Sequence, residues 1–196
     1  DLSFWNTDRI LMDPLCGSGT IPIEAAMIGR NMAPGLKREF ASEQWPFIPE
    51  TLWRQAREEA EAAIDRSKKF RILASDIDGK VLRIARRNAE LAGVDDFIAF
   101  QTLQVAEVRS RKRYGCVITN PPYGERLGEL KEVEELYREM GKVFRELDDW
   151  SFYILTSHEN FERLFCRRAD RKRKLYNGRI KVEYYQFYGP RPPKSV

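Results

Sequence analysis

Ile10-Leu11-Met12-Asp13-Pro14-Leu15-Cys16-Gly17-Ser18-Gly19-Thr20 decides the fold of this chain. Its first three residues form a short apolar run that reads as a buried strand, and a loop with two glycines follows at once. From Thr20 to about Arg30, Ile21, Ile23, Ala25, Ala26, Met27 and Ile28 fall at helical spacing. Pro22 fits because it stands in the first turn, where its missing N–H would be unpaired anyway. Strand, glycine loop and helix in this order open a nucleotide-binding βαβ unit.

The loop departs from two familiar phosphate binders. No Lys-Ser/Thr pair follows its glycines, and Pro22 stands where a dinucleotide loop has its third small residue. Asp13 would repel a pyrophosphate and favour a cationic ligand, such as the ammonium group of S-adenosylmethionine. Gly17 and Gly19 let the backbone come close to that ligand. Taken alone, these residues also fit a plain strand-to-helix turn.

Beyond the first helix, residues 31–48 hold Pro34-Gly35, Trp45-Pro46 and mixed charges, and read as an irregular insertion. Residues 49–68 are a helix candidate, dense in Ala, Glu and Arg. Arg71-Ile72-Leu73-Ala74 forms a second strand that ends at Ser75-Asp76-Ile77-Asp78. A carboxylate at this point typically takes the ribose hydroxyls of an adenosine, which assigns Asp76, with Ile77 beside it, to the same pocket. That acid usually comes ~20 residues after the glycines. Here 57 positions (76 − 19) separate Gly19 from Asp76, and the insertion accounts for the gap. Asp78 reads as the N-cap of an amphipathic helix over 79–91 that stops at Gly93.

Phe97-Ile98-Ala99-Phe100 is a third strand. Two roles are open to Glu107 after it: a partner for an adenine amine, or a surface side chain. Cys116-Val117-Ile118 is the fourth strand, and it leads into Thr119-Asn120-Pro121-Pro122-Tyr123-Gly124-Glu125-Arg126-Leu127-Gly128. The prolines end ladder pairing and leave a stiff corner at the strand's carboxyl end. That corner offers the Asn120 amide, the Pro121 carbonyl and the Tyr123 ring. Acceptors beside a flat ring suit a planar base that carries an exocyclic amine; a proline-rich turn with an incidental tyrosine is the plainer alternative.

A helix over 133–147, a fifth strand over 150–155 and a short helix over 159–165 follow from the apolar spacing. Lys174-Leu175-Tyr176-Asn177-Gly178-Arg179-Ile180-Lys181-Val182 reads as a hairpin with a type I′ turn at Asn-Gly, its second arm continuing through Tyr188. The expected fold is α/β: a Rossmann-like, doubly wound, mostly parallel seven-stranded sheet closed by a C-terminal antiparallel hairpin. The candidate loops then meet at the carboxyl edge, where such sheets bind ligands.

At 196 residues, 42% hydrophobic and 33% charged, the chain has the size and balance of one globular domain over 1–196. Residues 1–8 are too short and mixed for an element, which implies a domain cut from a longer protein. No apolar run approaches the ~20 residues of a membrane span and no signal-peptide pattern opens the chain, so a cytoplasmic location is expected. Cys16, Cys116 and Cys166 are widely spaced and read as reduced thiols, neither a disulfide framework nor a zinc site. His158 is the only histidine, which argues against a His-based triad or multi-His metal centre; no metal is expected. Net charge is +4, yet Arg109-Ser110-Arg111-Lys112-Arg113 and Arg167-Arg168 with Arg171-Lys172-Arg173-Lys174 cluster the basic residues. Such runs attract phosphate backbones or serve as solvated surface.

The sequence resembles the class I S-adenosylmethionine-dependent methyltransferases that act on amino groups. More narrowly, it is similar to the methyltransferase domain of the THUMP-type, RlmL-like RNA guanine-N2 methyltransferases. The resemblance rests on residues 13–20 with Pro22-Ile23-Glu24-Ala25-Ala26, on Ala33-Pro34-Gly35, Ser75-Asp76-Ile77-Asp78 and Leu175-Tyr176-Asn177-Gly178, and on the stretch from Asn120 to Leu127. It implies S-adenosylmethionine as cofactor, held by Asp13, Cys16, Gly17, Ser18, Gly19, Thr20, Asp76, Ile77, Glu107 and Asn120. It implies catalysis by Asn120, Pro121 and Tyr123 on RNA, ribosomal RNA first. It also implies an N-terminal THUMP domain that this stretch of chain lacks. A transfer-RNA guanine, or an adenine or cytosine amino group in DNA, is the alternative substrate. A dinucleotide oxidoreductase and a non-catalytic RNA-binding module are the readings from other classes.

Overall fold

The computed structural model describes residues 2–124 and 129–193. Seven strands form one sheet: β1 (Leu11–Asp13), β2 (Ile72–Asp76), β3 (Ile98–Thr102), β4 (Cys116–Thr119), β5 (Ser151–Thr156), β6 (Arg171–Asn177) and β7 (Ile180–Phe187). Their order across the sheet is β3-β2-β1-β4-β5-β7-β6. The first five run parallel; β7 is antiparallel to both β5 and β6. The order reverses between β1 and β4, which opens a crevice at their carboxyl ends.

Helices α1 (Thr20–Gly29) and α3 (Gly79–Ala92) cover one face of the sheet, while α4 (Glu129–Arg145) and α5 (Phe161–Phe165) cover the other. The sheet needs both covers because its central strands are apolar on both sides. On the α4 side Val117, Phe152 and Ile154 meet Tyr137, Met140, Phe144 and Phe161. On the α1/α3 side Leu11, Ile72 and Cys116 meet Ala26, Leu82 and Ala89. Asp78 caps α3, its side chain accepting the Lys80 N–H at 2.7 Å, as its sequence position implied. Among the described residues no helix is long and apolar enough to cross a membrane.

The segment expected to be irregular holds a 3₁₀ turn, Ala41–Gln44, before α2 (Glu50–Ala62). Arg57 on α2 gathers it, donating to Leu36 O and Arg38 O at 2.6 Å each and pairing with Glu43. Three other expectations need correction. The turn between β6 and β7 comprises Gly178-Arg179, because Asn177 pairs with Ile180. Positive φ falls on Gly178 (+62°) and on neither Asn177 nor Arg179, the pattern of a type II′ rather than a type I′ turn. The first arm of the hairpin, expected from Lys174, begins at Arg171, so the basic run 171–174 is the first half of β6, an edge strand. Finally, α4 begins at Glu129, before the apolar spacing that marked 133 as its start.

Candidate functional site

β1 ends at Asp13, β2 at Asp76 and β4 at Thr119, all on the same sheet edge. Two contacts tie the three ends together. Gly17 N–H donates to Asp76 Oδ2 at 3.0 Å, and the Thr119 hydroxyl donates to Asp13 Oδ1 at 2.7 Å. The site is therefore a ledge of three cross-linked loops.

Asp13 is 1% exposed, and its Oδ1 also accepts the Leu15 N–H at 3.2 Å. Burial pushes its carboxyl up from 3.8 to about 7; the Thr119 and Leu15 hydrogen bonds pull it back, and the charge of Asp76 adds to the rise. This side chain sits beneath the glycine loop rather than on its surface.

The loop itself is braced from β2, with Cys16 N–H donating to Ser75 O at 2.9 Å. The Cys16 side chain packs into the core and burial pushes its thiol up to about 12, which leaves only its backbone to face the loop. Asn88 on α3 donates to Ser18 O at 3.0 Å. The two glycines are required for different reasons. At Gly19 (φ +87°) a Cβ would stand 3.1 Å from Ala85 Cβ, so glycine lets α1 begin against α3. At Gly17 (φ +53°) a Cβ would meet nothing within 4 Å. There the backbone faces open space that a ligand can enter. Thr20 then opens α1, whose amino end has no side-chain cap.

Asp76 carries two backbone bonds, from Gly17 N–H and from Asp78 N–H at 3.0 Å. Ile77 beside it is 63% exposed, an apolar side chain at the rim with no protein cover. Glu107 ends a 3₁₀ turn (Val105–Glu107), where its Oε2 accepts the Gln104 N–H at 3.1 Å. Among the described residues no hydrogen bond joins Glu107 to the other assigned side chains, so its backbone-capping role is the one on view.

At the corner after β4, Asn120 is exposed and Pro121 is buried. The Tyr123 hydroxyl donates to Asn120 Oδ1 at 2.6 Å. Pro122 O accepts the hydroxyl of Tyr137 at 2.7 Å, and the same hydroxyl meets Thr156 Oγ1 at 2.8 Å. Thus α4 and β5 hold the corner from below. Of the stretch on which the resemblance leaned, residues 125–127 lie outside the described residues. In the helix expected over 133–147, Tyr137 falls at the apolar spacing of a core residue, and the sequence alone gives Thr119 no role. The signal for Thr119 was its place beside Asn120 at a strand end; a lone core tyrosine carries none for Tyr137. Among the described residues no cluster of His, Cys, Asp and Glu could hold a metal ion.

The family model "UPF0020: RMKL-like, methyltransferase domain" matches residues 1–186. The "Putative RNA methyltransferase YpsC" of Bacillus subtilis is 50% identical over 193 residues, 98% of this chain and 50% of that protein. A "Ribosomal RNA large subunit methyltransferase K/L" of Shewanella amazonensis is 39% identical over 179 residues, 89% of this chain and 25% of that protein. SMU.472, described as a putative methyltransferase complexed with SAH, superposes with a TM-score of 0.93 at 47% identity, over 98% of this chain and 51% of that one. The chain thus spans half the length of the first relative and a quarter of the second. With the family match over nearly its whole length and a relative at 50% identity, this chain belongs to the RMKL-like methyltransferase-domain family.

Proposed function

We propose that this chain transfers a methyl group from S-adenosylmethionine to the exocyclic N2 amine of a guanine in RNA, with 23S ribosomal RNA as the substrate. One observation carries the reading: the Asn120-Pro121-Pro122-Tyr123 corner adjoins the glycine loop, joined to it by the Thr119–Asp13 hydrogen bond. The cofactor, S-adenosylmethionine, supplies an electrophilic methyl group on a sulfonium centre.

The residues present fit that group. Asp76 has lone pairs beyond its two backbone bonds to accept ribose hydroxyls. Ile77 would cover one face of the adenine, and the second carboxylate oxygen of Glu107 would meet its amine. The backbone of Cys16, Gly17, Ser18, Gly19 and Thr20 would line the methionine end, and the Asp13 carboxylate below would favour its ammonium.

A guanine N2 amine is a poor nucleophile because its lone pair is delocalised into the ring. Asn120 Oδ1 and the Pro121 carbonyl accept its two hydrogens and aim its lone pair at the methyl. Asn120 Oδ1 has a second lone pair and can take one hydrogen while the Tyr123 hydroxyl remains. The Tyr123 ring then stacks on the base. Tyr137 holds the peptide that carries these groups, so orientation and fixed acceptors lower the barrier without a strong base. After transfer the nitrogen sheds its proton to solvent. A guanine in a stem must first be flipped out. Capture of the RNA falls to an N-terminal THUMP domain in the longer parent protein, working in the cytoplasm.

Transfer of labelled methyl to 23S ribosomal RNA, transfer RNA and DNA, followed by nucleoside mass spectrometry, tests the reading. N2-methylguanosine in 23S RNA is expected. Label confined to transfer RNA, or methyladenine or methylcytosine in DNA, would overturn it.

A further inference from the structure

The β6–β7 hairpin is longer than the sheet it closes. Thr156, the last residue of β5, pairs with Glu183, so Val182, Lys181 and Ile180 continue beyond the carboxyl end of β5. At about 3.4 Å per residue Ile180 lies ~10 Å past that edge, and the Gly178-Arg179 turn stands beyond it. This is the edge that carries Asn120: Thr119 pairs with Ile154, two residues before the end of β5. Two to three strand spacings, about 10–14 Å, separate β4 from β7 and β6 across the sheet. The hairpin is therefore a post beside the catalytic corner.

Its chemistry is one-sided. Lys172, Lys174 and Tyr176 alternate onto one face of β6, opposite Tyr185, Glu183 and Lys181 of β7. Near the sheet Lys172 is neutralised by Glu162 at 2.8 Å. Towards the tip cations outnumber acids. Tyr176 is 64% exposed, the Lys174 ammonium lies 5.3 Å from its ring centroid, and Lys181 stands directly across from it. Arg179 tops the turn, exposed and in no ion pair among the described residues. Glu183, 3.8 Å from Lys181, is the one acid on this part of the face.

Lysines on an edge strand commonly block edge-to-edge pairing, and that suffices for Lys172. It does not account for an arginine on a turn that stands clear of the sheet, or for an exposed tyrosine on the strand just before it. An aromatic platform flanked by two ammonium groups and a guanidinium is the chemistry that holds an unpaired nucleotide and its phosphates.

The geometry points to the hairpin tip as the docking surface for single-stranded RNA flanking the target nucleotide: Tyr176 stacks a neighbouring base, and Lys174, Arg179 and Lys181 take the adjoining phosphates. This rests on the RNA reading above and names where that RNA lies.

Fluorescence anisotropy with a short, fluorescein-labelled, mixed-sequence single-stranded RNA tests it over a salt series. The variant Lys174→Ala/Arg179→Ala is compared with Lys68→Ala/Lys69→Ala, which removes equal charge from exposed residues just before β2, at the opposite sheet edge. Calorimetry with S-adenosylhomocysteine checks that each variant keeps its fold and cofactor site. The hairpin variant should lower the slope of log K against log salt by about 1.4, the sum for two single-strand phosphate contacts, and the control by much less. Tyr176→Ala should cost at least fivefold in affinity with the slope unchanged. Equal effects of the two charge variants would overturn the hairpin assignment while leaving the RNA reading intact. A protein that binds duplex DNA but not this RNA would overturn both.

Discussion

Asp13→Asn isolates the least ordinary electrostatic feature of the site. The Asp13 carboxyl is pushed from 3.8 to about 7, burial being the largest cause. Between those values the folded chain keeps a proton that the unfolded chain has lost, so this residue makes stability fall as pH rises from about 4 to 7. Above 7 both states are ionised and the penalty is complete. At about 1.4 kcal/mol per pKa unit it reaches at most ~4 kcal/mol, of which about 2–3 accrue between pH 5 and pH 8. Asparagine keeps an acceptor for the Leu15 N–H and the Thr119 hydroxyl but never ionises. It adds a buried N–H donor worth a roughly constant loss of ~1–3 kcal/mol if unsatisfied. The difference in stability, variant minus parent, should therefore move in the variant's favour by about 2–3 kcal/mol from pH 5 to pH 8, or ~5–10 °C in melting temperature. Urea unfolding of both proteins at the two pH values measures it. A difference that does not change with pH would refute the argument. The same pair tests the attraction for the cofactor's ammonium: the variant should bind S-adenosylmethionine more weakly than the parent at pH 8 and nearly equally at pH 6.

Two further substitutions separate binding from turnover. Asp76→Ala removes the acceptor for both Gly17 N–H and Asp78 N–H; calorimetry should show at least tenfold weaker cofactor binding, since hydrogen bonds to a charged group contribute about 1.5–3 kcal/mol each. Unchanged affinity would remove Asp76 from the pocket. Tyr137→Phe deletes the hydroxyl that joins Pro122 O to Thr156. Its kcat should fall roughly ten- to a hundredfold through misplacement of the corner, with cofactor affinity within twofold; a fall in affinity with kcat preserved would contradict the positioning role.

The order of elements was legible because each carries its own punctuation. Glycines follow the first strand, an Asp caps the third helix, prolines end the fourth strand and Asn-Gly marks the hairpin. The positions of Asp13, Asp76 and Asn120 at strand ends were legible for the same reason: they lie where apolar runs stop. What could not be read depended on partners distant in sequence. Arg9, just past the mixed stretch 1–8, is 8% exposed and donates to Phe4 O, Tyr114 O, Gly115 O and Ser151 Oγ, bracing the amino ends of β1, β4 and β5. The inward turn of Asp13 is set by Thr119, 106 residues away. The basic run 171–174 hid a strand because all four of its residues are charged, Arg173 on the half-buried face included, so no apolar alternation shows. The hairpin turn shifted by one residue because the cross-strand pairing of Leu175 with Val182 fixes the register.

The central claim is that Asn120 acts on the target amine and not on the cofactor pocket as a whole. The direct measurement is methyl transfer to 23S ribosomal RNA by the parent protein and by Asn120→Ala, with S-adenosylhomocysteine affinity measured on the same preparations. The account predicts that transfer is abolished while affinity stays within a few-fold of the parent. Retained turnover in the variant, or loss of cofactor binding as the cause of its inactivity, would contradict it.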